Sequence, residues 1–466
     1  MKRFYLLFLI LTVFFNCSLT KPVVIPDKNL AAAVRAELGL NPNEPIFQTD
    51  LRALERLIAT HSGIKDLTGL EKATNLQMLY LDYDNEITNI TPLADLTQLK
   101  ALSLRSQRIR DIAPLTKLTE LQTLVLTNNE IDDITPLARL TQIIHLELSY
   151  NGISDITPLT KLTKLQTLKL SGNNIDDITP LIALKQLADL ELQRHQMRDA
   201  TQIFSVLTEL PKLTNLNLRL NEIGDITPIT RLTQLESLSL GSDQIVDITP
   251  FVEMAQLKSL SLHNCQITDL APMAEMTQLE SLSLTRNQIT DITPIAELTQ
   301  LKDLRISDNG IRDATPIASL THLESLSIRD HQIKDIKFCS ELKQLEYLLL
   351  ANGQISDIKP LAGLTQLRSL ILINSNVSDI KPLAGLTQLS FLNLGENQIS
   401  DISPLTGMAE LEILSLNDNQ ISDISVLGNL KNLRYLNIQN NPIQDMQPIR
   451  ELRKQTPNLQ IIESNR

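Results

Sequence analysis

The chain has 466 residues, 42 of them basic and 54 acidic, which leaves a formal net charge of −12. That balance excludes nucleic acid as the main partner, since phosphate binding needs a basic stripe. The three cysteines, Cys17, Cys265 and Cys339, lie far apart with no CxxC spacing, which excludes a disulfide framework and a structural zinc site.

Met1-Lys2-Arg3 is a short positive segment, followed by an apolar run from Phe4 to Phe15 and then by Cys17. The run falls short of the roughly 20 residues that span a bilayer as a helix and suits the apolar core of a secretory signal. The cysteine directly after it resembles a bacterial lipoprotein signal. Residues 1–17 are therefore expected to direct export, with Cys17 as a lipidation site. An acylated Cys17 would hold the protein on a membrane surface, the only membrane contact foreseen.

Residues 18–53 are expected to form a helical N-terminal cap. Asp27 stands as a helix N-cap before Lys28–Leu38, Gly39 as a stop, and Leu30, Val34 and Leu38 share one apolar face. A second short helical segment is expected from Asp50-Leu51. Such a segment covers the exposed edge of a repeat array.

From Leu54 to the end, a 22-residue unit recurs about eighteen times, and Leu279–Gln300, LESLSLTRNQITDITPIAELTQ, is representative. Leu279, Leu282 and Leu284 alternate along a short strand, with Ser281 and Ser283 on its other face. Asn287 marks a bend, and Asp291-Ile292-Thr293-Pro294 opens a tighter helical segment. About seven apolar side chains at roughly 1.5–3 kcal/mol each cannot offset ordering 22 backbones at about 1–2 kcal/mol apiece. The repeats must therefore stack. Two units depart from the period: one gains a residue near Asp84-Asn85, and Leu187–Lys212 is longer by about one helical turn and is expected to carry a true helix. Gln447–Thr456 reads as a closing helix.

Two columns recur. Asparagine follows each first leucine by eight positions, as at Asn129, Asn151, Asn173, Asn221, Asn287, Asn309, Asn397, Asn419 and Asn441. A side-chain amide both donates and accepts, so it suits a buried bend. His195, Cys265 and His331 stand in this column, and Cys265 reads as a structural substitute. Cys339 falls on a core position and should be buried and inert. Aspartate follows four positions later, commonly with proline after it, and reads as the cap of the helical turn. Calcium between stacked carboxylates is disfavoured, because the glycine-rich loops of calcium-binding repeats are absent.

The opening L-x-x-L-x-L-x-x-N-x-I is the leucine-rich repeat pattern. The repeat NQITDITPIAELTQLKDL, together with IPDKNLAAAVRAELG, TDLRALERL and GIKDLTGLEKATNL, resembles the internalin family of bacterial surface proteins over about residues 23 to 450. The resemblance implies an α/β repeat solenoid, a horseshoe with a concave parallel β-sheet, short 3-10 or helical convex segments and a helical N-terminal cap, with residues 54–466 as the solenoid and its C-terminal cap. It also implies recognition of a protein partner on the concave face. An immunoglobulin-like domain and an LPxTG signal are not found after the repeats. The chain also resembles an intracellular phosphatase-regulating family of 22-residue repeats, against which the export signal argues. A structural surface layer or adhesion protein is a further alternative.

The strand residues between the leucines form the candidate site. They are hydroxylic from Ser237 to Ser283, then charged at Arg286, Arg305 and Arg329. They become apolar and aromatic at Tyr347, Leu349, Ile371, Ile373, Phe391, Ile413 and Tyr435. Contiguous apolar patches mark interaction sites, and aromatics with arginine anchor interfaces. A weaker patch is Ile58, Met78, Tyr80 and Tyr83. The expected partner is a protein, or a glycan. The six histidines are scattered, His145 and Glu147 have no obvious third group, and no cofactor or metal set is apparent, so an enzyme is not expected.

Overall fold

The computed structural model describes residues 21–83, 86–195, 199–242, 244–329 and 332–463. The export segment with Cys17, the extra residue near Asp84-Asn85 and His331 lie outside the described residues. The chain divides into two compact units, Met1–Met197 with Thr201–Asn217, and Arg198–Ala200 with Leu218–Arg466. Each is a stack of repeats of the expected α/β solenoid type, in which every strand pairs in parallel with the strand of the next repeat.

The first unit opens with helix α1 (Lys28–Leu38), and its caps follow from local chemistry. Asp27 Oδ1 accepts from the amides of Asn29 and Leu30, and Gly39 takes the left-handed conformation that stops the helix. Asp27 Oδ2 also accepts from the Lys65 and Asp66 amides, at 2.7 and 3.1 Å, so one carboxylate ties the cap to the first repeat. Helix α2 (Gln48–Ala53) begins two residues earlier than expected. Asp50 lies inside its first turn and accepts from the Phe47 amide at 2.7 Å.

Eight strands follow: β1 (Arg56–Ile58), β2 (Met78–Tyr80), β3 (Ala101–Ser103), β4 (Thr123–Val125), β5 (His145–Glu147), β6 (Thr167–Lys169), β7 (Asp189–Glu191) and β8 (Asn215–Asn217). The longer repeat carries helix α3 (Ala200–Leu207) as expected, and it buries Ile203, Phe204, Val206 and Leu207.

The second unit contains β9 (Ser237–Leu240), β10 (Ser259–Leu262), β11 (Ser281–Ser283), β12 (Asp303–Arg305), β13 (Ser325–Arg329) and β14 (Tyr347–Ala351). It continues with β15 (Ser369–Ile373), β16 (Phe391–Asn393), β17 (Ile413–Ser415), β18 (Tyr435–Asn437), helix α4 (Gln447–Gln455) and β19 (Gln460–Ile462). In both units the repeat leucines and isoleucines are almost wholly buried, with Leu279, Leu282, Leu284 and Ile295 at 0% exposure.

The asparagine column works as a staple. Asn287 Nδ2 donates to the carbonyls of Leu284 in its own repeat and Leu262 in the preceding one, while its Oδ1 accepts from the Ile267 amide. The same three bonds recur at Asn397. These bonds occupy the carbonyl that would otherwise continue the strand ladder. At Cys265 and Ser375 no amide claims it, and Gly353 has no side chain to do so. The ladder then runs on. His263 donates to the Leu240 carbonyl, and β13 to β15 pair over five residues each instead of three. Strand length on the candidate surface is thus set by one position per repeat.

A second column was not anticipated. The residue before the asparagine adopts the left-handed conformation in most repeats, among them Tyr83, Tyr150, Leu220, Arg286, Asp308 and Glu396, all at φ between 55° and 70°. L side chains adopt this region at a cost. Gly172 is the glycine that occupies it, at φ 68°, and a Cβ there would come within 2.7 Å of the Tyr150 ring.

The aspartate column differs from expectation by one residue. The residue flanking the 3-10 turn Thr293–Glu297 is Ile292, so Asp291 lies just outside it. Its Oδ1 accepts from the Thr293 amide at 2.8 Å and from the Thr293 hydroxyl at 2.6 Å, a side-chain turn that holds the chain for proline at the next position. These carboxylates are occupied by their own turns. Among the described residues no cluster of three or more His, Cys, Asp or Glu could hold a metal ion.

Candidate binding surface

Side chains on the solvent face of a parallel sheet form rows across strands, because partners stand in register. In the second unit one row runs Tyr347, Ser369, Phe391, Ile413, Tyr435 and Gln460. The next runs Ser327, Leu349, Ile371, Asn393, Ser415 and Asn437. A third, at the strand ends, pairs Arg329 with Ala351 and Ala351 with Ile373.

The structure brings together most of the residues singled out from sequence, with two corrections. Leu349 is only 7% exposed and offers little to a ligand, because it is flanked in register by Ser327 and Ile371 on the lengthened ladder. Arg286 does not stand among the strand rows. It occupies the left-handed bend at φ 58°, with its Nε 3.4 Å from Asp308 Oδ2. Tyr347, Ile371, Ile373, Phe391, Ile413 and Tyr435 are half-buried. Arg305 and Arg329 are exposed, and Arg305 pairs with Asp303 at 3.2 Å. Burial pushes the Tyr347 phenol up, partly opposed by the nearby charges of Arg305 and Arg329.

A hollow of about 860 Å³ opens over β16 to β19, and Ile373, Phe391, Ile413 and Tyr435 line its apolar side. The sequence reading missed its polar side, formed by Asn393, Asn417, Asn437 and Gln460 with Glu412 and Arg434 at the rim. Asn393, Asn437 and Gln460 fall on outward strand positions, as the aromatics do, so strand phase alone could have found these three. The three asparagine amides are held by hydrogen bonds. Asn393 Oδ1 accepts from the Gly395 amide at 3.0 Å, and Asn437 Oδ1 accepts from the Gln439 amide at 3.1 Å. Asn417 Oδ1 accepts from the Ser415 hydroxyl at 2.7 Å, and its side chain lies over Gly395, where a Cβ would come within 2.6 Å of it.

The first unit holds a different arrangement on its sheet face. Glu147 is nearly buried and pairs with Arg105, with His145 at 3.0 Å and with Lys169 at 3.4 Å, and Lys169 also reaches Glu191 at 3.4 Å. Arg105 and Lys169 are the third groups that sequence did not place beside His145 and Glu147. Burial pushes the Glu147 carboxyl up, but Lys169 and Arg105 outweigh it and hold it below its ordinary range. Burial pushes Asp189 up, with Glu147 adding to it. A carboxylate held ionised between two cations suits an ion-pair network rather than proton transfer. The weaker patch is present at Ile58, 44% exposed, and Tyr83, whose ring stacks on His61 at 4.8 Å.

The buried cysteines behave as structural residues. Cys265 Sγ lies 3.7 Å from the His263 carbonyl, and burial pushes the Cys339 thiol far above its ordinary value. His195 fills its column with Nε2 at 3.0 Å from the Leu170 carbonyl, and burial lowers its pKa. Among the described residues no helix is long and apolar enough to cross a membrane.

Comparison with known proteins places these features. The profile of the leucine-rich repeat region family matches residues 53–291, more than half of the chain, and that of paired leucine-rich repeats matches 365–407 and 409–462. An internalin (inlF) of Listeria monocytogenes is 31% identical, with 85% of this chain and 98% of that chain covered and a TM-score of 0.42. A leucine-rich repeat protein of Leptospira interrogans is 23% identical over 89% of this chain and 97% of its own, with a TM-score of 0.50. A plant peptide hormone receptor, RGFR1 in complex with RGF2, is 21% identical over 79% of this chain and 64% of its own, with a TM-score of 0.51. No curated protein matches the chain.

Proposed function

Because the chain belongs to the leucine-rich repeat family, whose scaffold is typical of protein binding, we propose that it is a non-enzymatic scaffold that captures a protein partner on the sheet face of its second unit. One observation carries this reading. Tyr347, Phe391, Ile413 and Tyr435 stand in a single row, with Ile371 and Ile373 beside them and Arg305 and Arg329 at one end. Aromatic anchors beside arginines on a rigid sheet match the composition of interface hot spots.

Export to the cell surface is part of the same proposal. It is supported by Met1-Lys2-Arg3, the apolar run Phe4–Phe15 and Cys17 as lipid acceptor, and by likeness to a family of bacterial surface proteins. The proposed organisation is a signal at 1–17, a cap at 18–53 and the repeat solenoid with its closing cap at 54–466. Fatty-acid labelling that persists in Cys17→Ser would overturn the anchor.

Capture is tested with the triple variant Tyr347→Ser, Phe391→Ser and Tyr435→Ser on an immobilised chain. Loss of partner retention with an unchanged circular dichroism spectrum is expected. Undiminished retention would exclude this face.

A further inference from the structure

We infer that the hollow over β16 to β19 binds a β-1,4-linked oligosaccharide of uncharged hexopyranose units, one ring above each of β16, β17 and β18. The inference rests on the sheet face being the binding surface and adds the chemistry of the ligand at one end of it.

Three observations support it. First, the hollow is two-sided: Phe391, Ile413 and Tyr435 form one row, and Asn393, Ser415 and Asn437 form the next, with Asn417 just beyond it. A pyranose is two-sided in the same sense. Its axial C–H groups carry the partial positive charge that an aromatic face attracts, and its hydroxyls donate and accept as amides do.

Second, the donors are held in advance of binding. The Oδ1 atoms of Asn393 and Asn437 are tied down by the same bond to the amide two residues on. This orients each Nδ2: that of Asn393 makes no hydrogen bond among the described residues, that of Asn437 makes a long one to Asn417 Oδ1 at 3.4 Å, and that of Asn417 is committed to Asp418 Oδ2 at 2.7 Å. Donors fixed before binding lower the entropic cost of capture.

Third, the spacing fits. Adjacent strands lie about 4.8 Å apart. A β-1,4-linked pyranose chain advances by about that distance per ring and turns each successive ring over. Equivalent edges therefore recur on every second strand, as do the two rings, Phe391 and Tyr435, and the two tied amides, Asn393 and Asn437. An extended peptide presents equivalent groups roughly every 6.7 Å, at twice its rise per residue, and falls out of phase. At the rim, Arg434 is paired with Glu412 at 3.6 Å and Glu396 adds a further carboxylate, which disfavours acidic sugars. The volume of about 860 Å³ lies within the range of roughly 300–1,000 Å³ typical of small-ligand sites.

The test is calorimetric titration of the full chain with cellotetraose and with chitotetraose, against maltotetraose, whose α-linkage curls the chain out of strand phase. Saturable binding of at least one β-linked ligand, tenfold or more tighter than maltotetraose, is expected. The variant Asn393→Ala with Asn437→Ala should weaken it at least tenfold, and Ser283→Ala, in the same row but outside the hollow, should leave it unchanged. Absence of β-linked binding, equal binding of maltotetraose or an undiminished double variant would overturn the inference. Retention on insoluble polymer as well as tetrasaccharide marks a polysaccharide ligand, and binding to the tetrasaccharide alone marks a glycan end. Protein capture measured in parallel separates the two readings, because capture by a chain that binds no β-linked sugar leaves the scaffold proposal standing while the sugar inference fails.

Discussion

Asn397 Nδ2 donates to the carbonyl of Leu372, 25 residues earlier, at 2.8 Å. The same amide reaches the Leu394 carbonyl, and its Oδ1 accepts from the Val377 amide at 3.2 Å, so one side chain serves two repeats. Replacing it by alanine leaves buried backbone groups without partners, each worth about 1–3 kcal/mol. The ladder can recover part of this loss, as it does where the column holds Ser375 or Gly353. Asn397→Ala should therefore cost about 2 kcal/mol by denaturant titration and speed hydrogen exchange at Val377. Unchanged exchange there would refute the staple.

Tyr150 and Gly172 give a second prediction. Gly172→Ala places a Cβ at φ 68° and within 2.7 Å of the Tyr150 ring. A loss of about 1–3 kcal/mol is expected from strain and overpacking together. Adding Tyr150→Ala should relieve the steric part and leave the backbone part. A double-mutant cycle with no coupling would contradict the contact.

Leu220 occupies the same left-handed position at φ 59° while 44% exposed. Little packing is lost on replacement, so Leu220→Asn should raise stability by about 0.5–1 kcal/mol. A lower midpoint would mean that Leu220 contributes more through packing than it costs in backbone strain.

The aspartate column makes the fold acid-sensitive. The Thr293 hydroxyl and amide hold Asp291 below its ordinary value of 3.8, and equivalent bonds lower Asp133, Asp155, Asp177, Asp225, Asp247, Asp313, Asp401 and Asp423. The folded values lie below the unfolded ones, so this stabilisation is complete above the ordinary carboxylate range and lost as pH falls through the lowered values. The thermal midpoint should be level near neutrality and drop as pH falls below about 4. Asp291→Asn should flatten that drop slightly, and a drop centred above pH 5 would implicate other groups.

Glu147 should behave as a structural charge. Glu147→Gln removes one partner from Arg105 and Lys169, and because the cluster is only partly buried a loss of about 1–2 kcal/mol is expected. Arg105→Gln should cost a similar amount, and together they should cost less than the sum. Full additivity would show that the pair does not couple.

The repeat period, the buried leucines, the caps at Asp27 and Gly39, and the helix in the long repeat were all legible in the chain. They rest on local periodicity and capping chemistry, which act within about one turn or one strand. The asparagine column was legible as a bend, but its partners 25 residues back were not. Of the candidate surface, the aromatic row could be read from strand phase, because a period of two assigns faces.

What tertiary structure decided was which outward side chains remain available. Leu349 was lost to the surface because Gly353 and Ser375 let the ladder run on and its neighbours cover it. Arg286 moved to the bend because its backbone is left-handed. The amides of Asn393 and Asn437, each tied locally to the residue two on, came onto one surface only once three strands stood side by side. Sequence alone determined the unit that must stack, since core periodicity is a property of one repeat. The binding surface belongs to several repeats at once, and only their register brings residues 22 apart into one row.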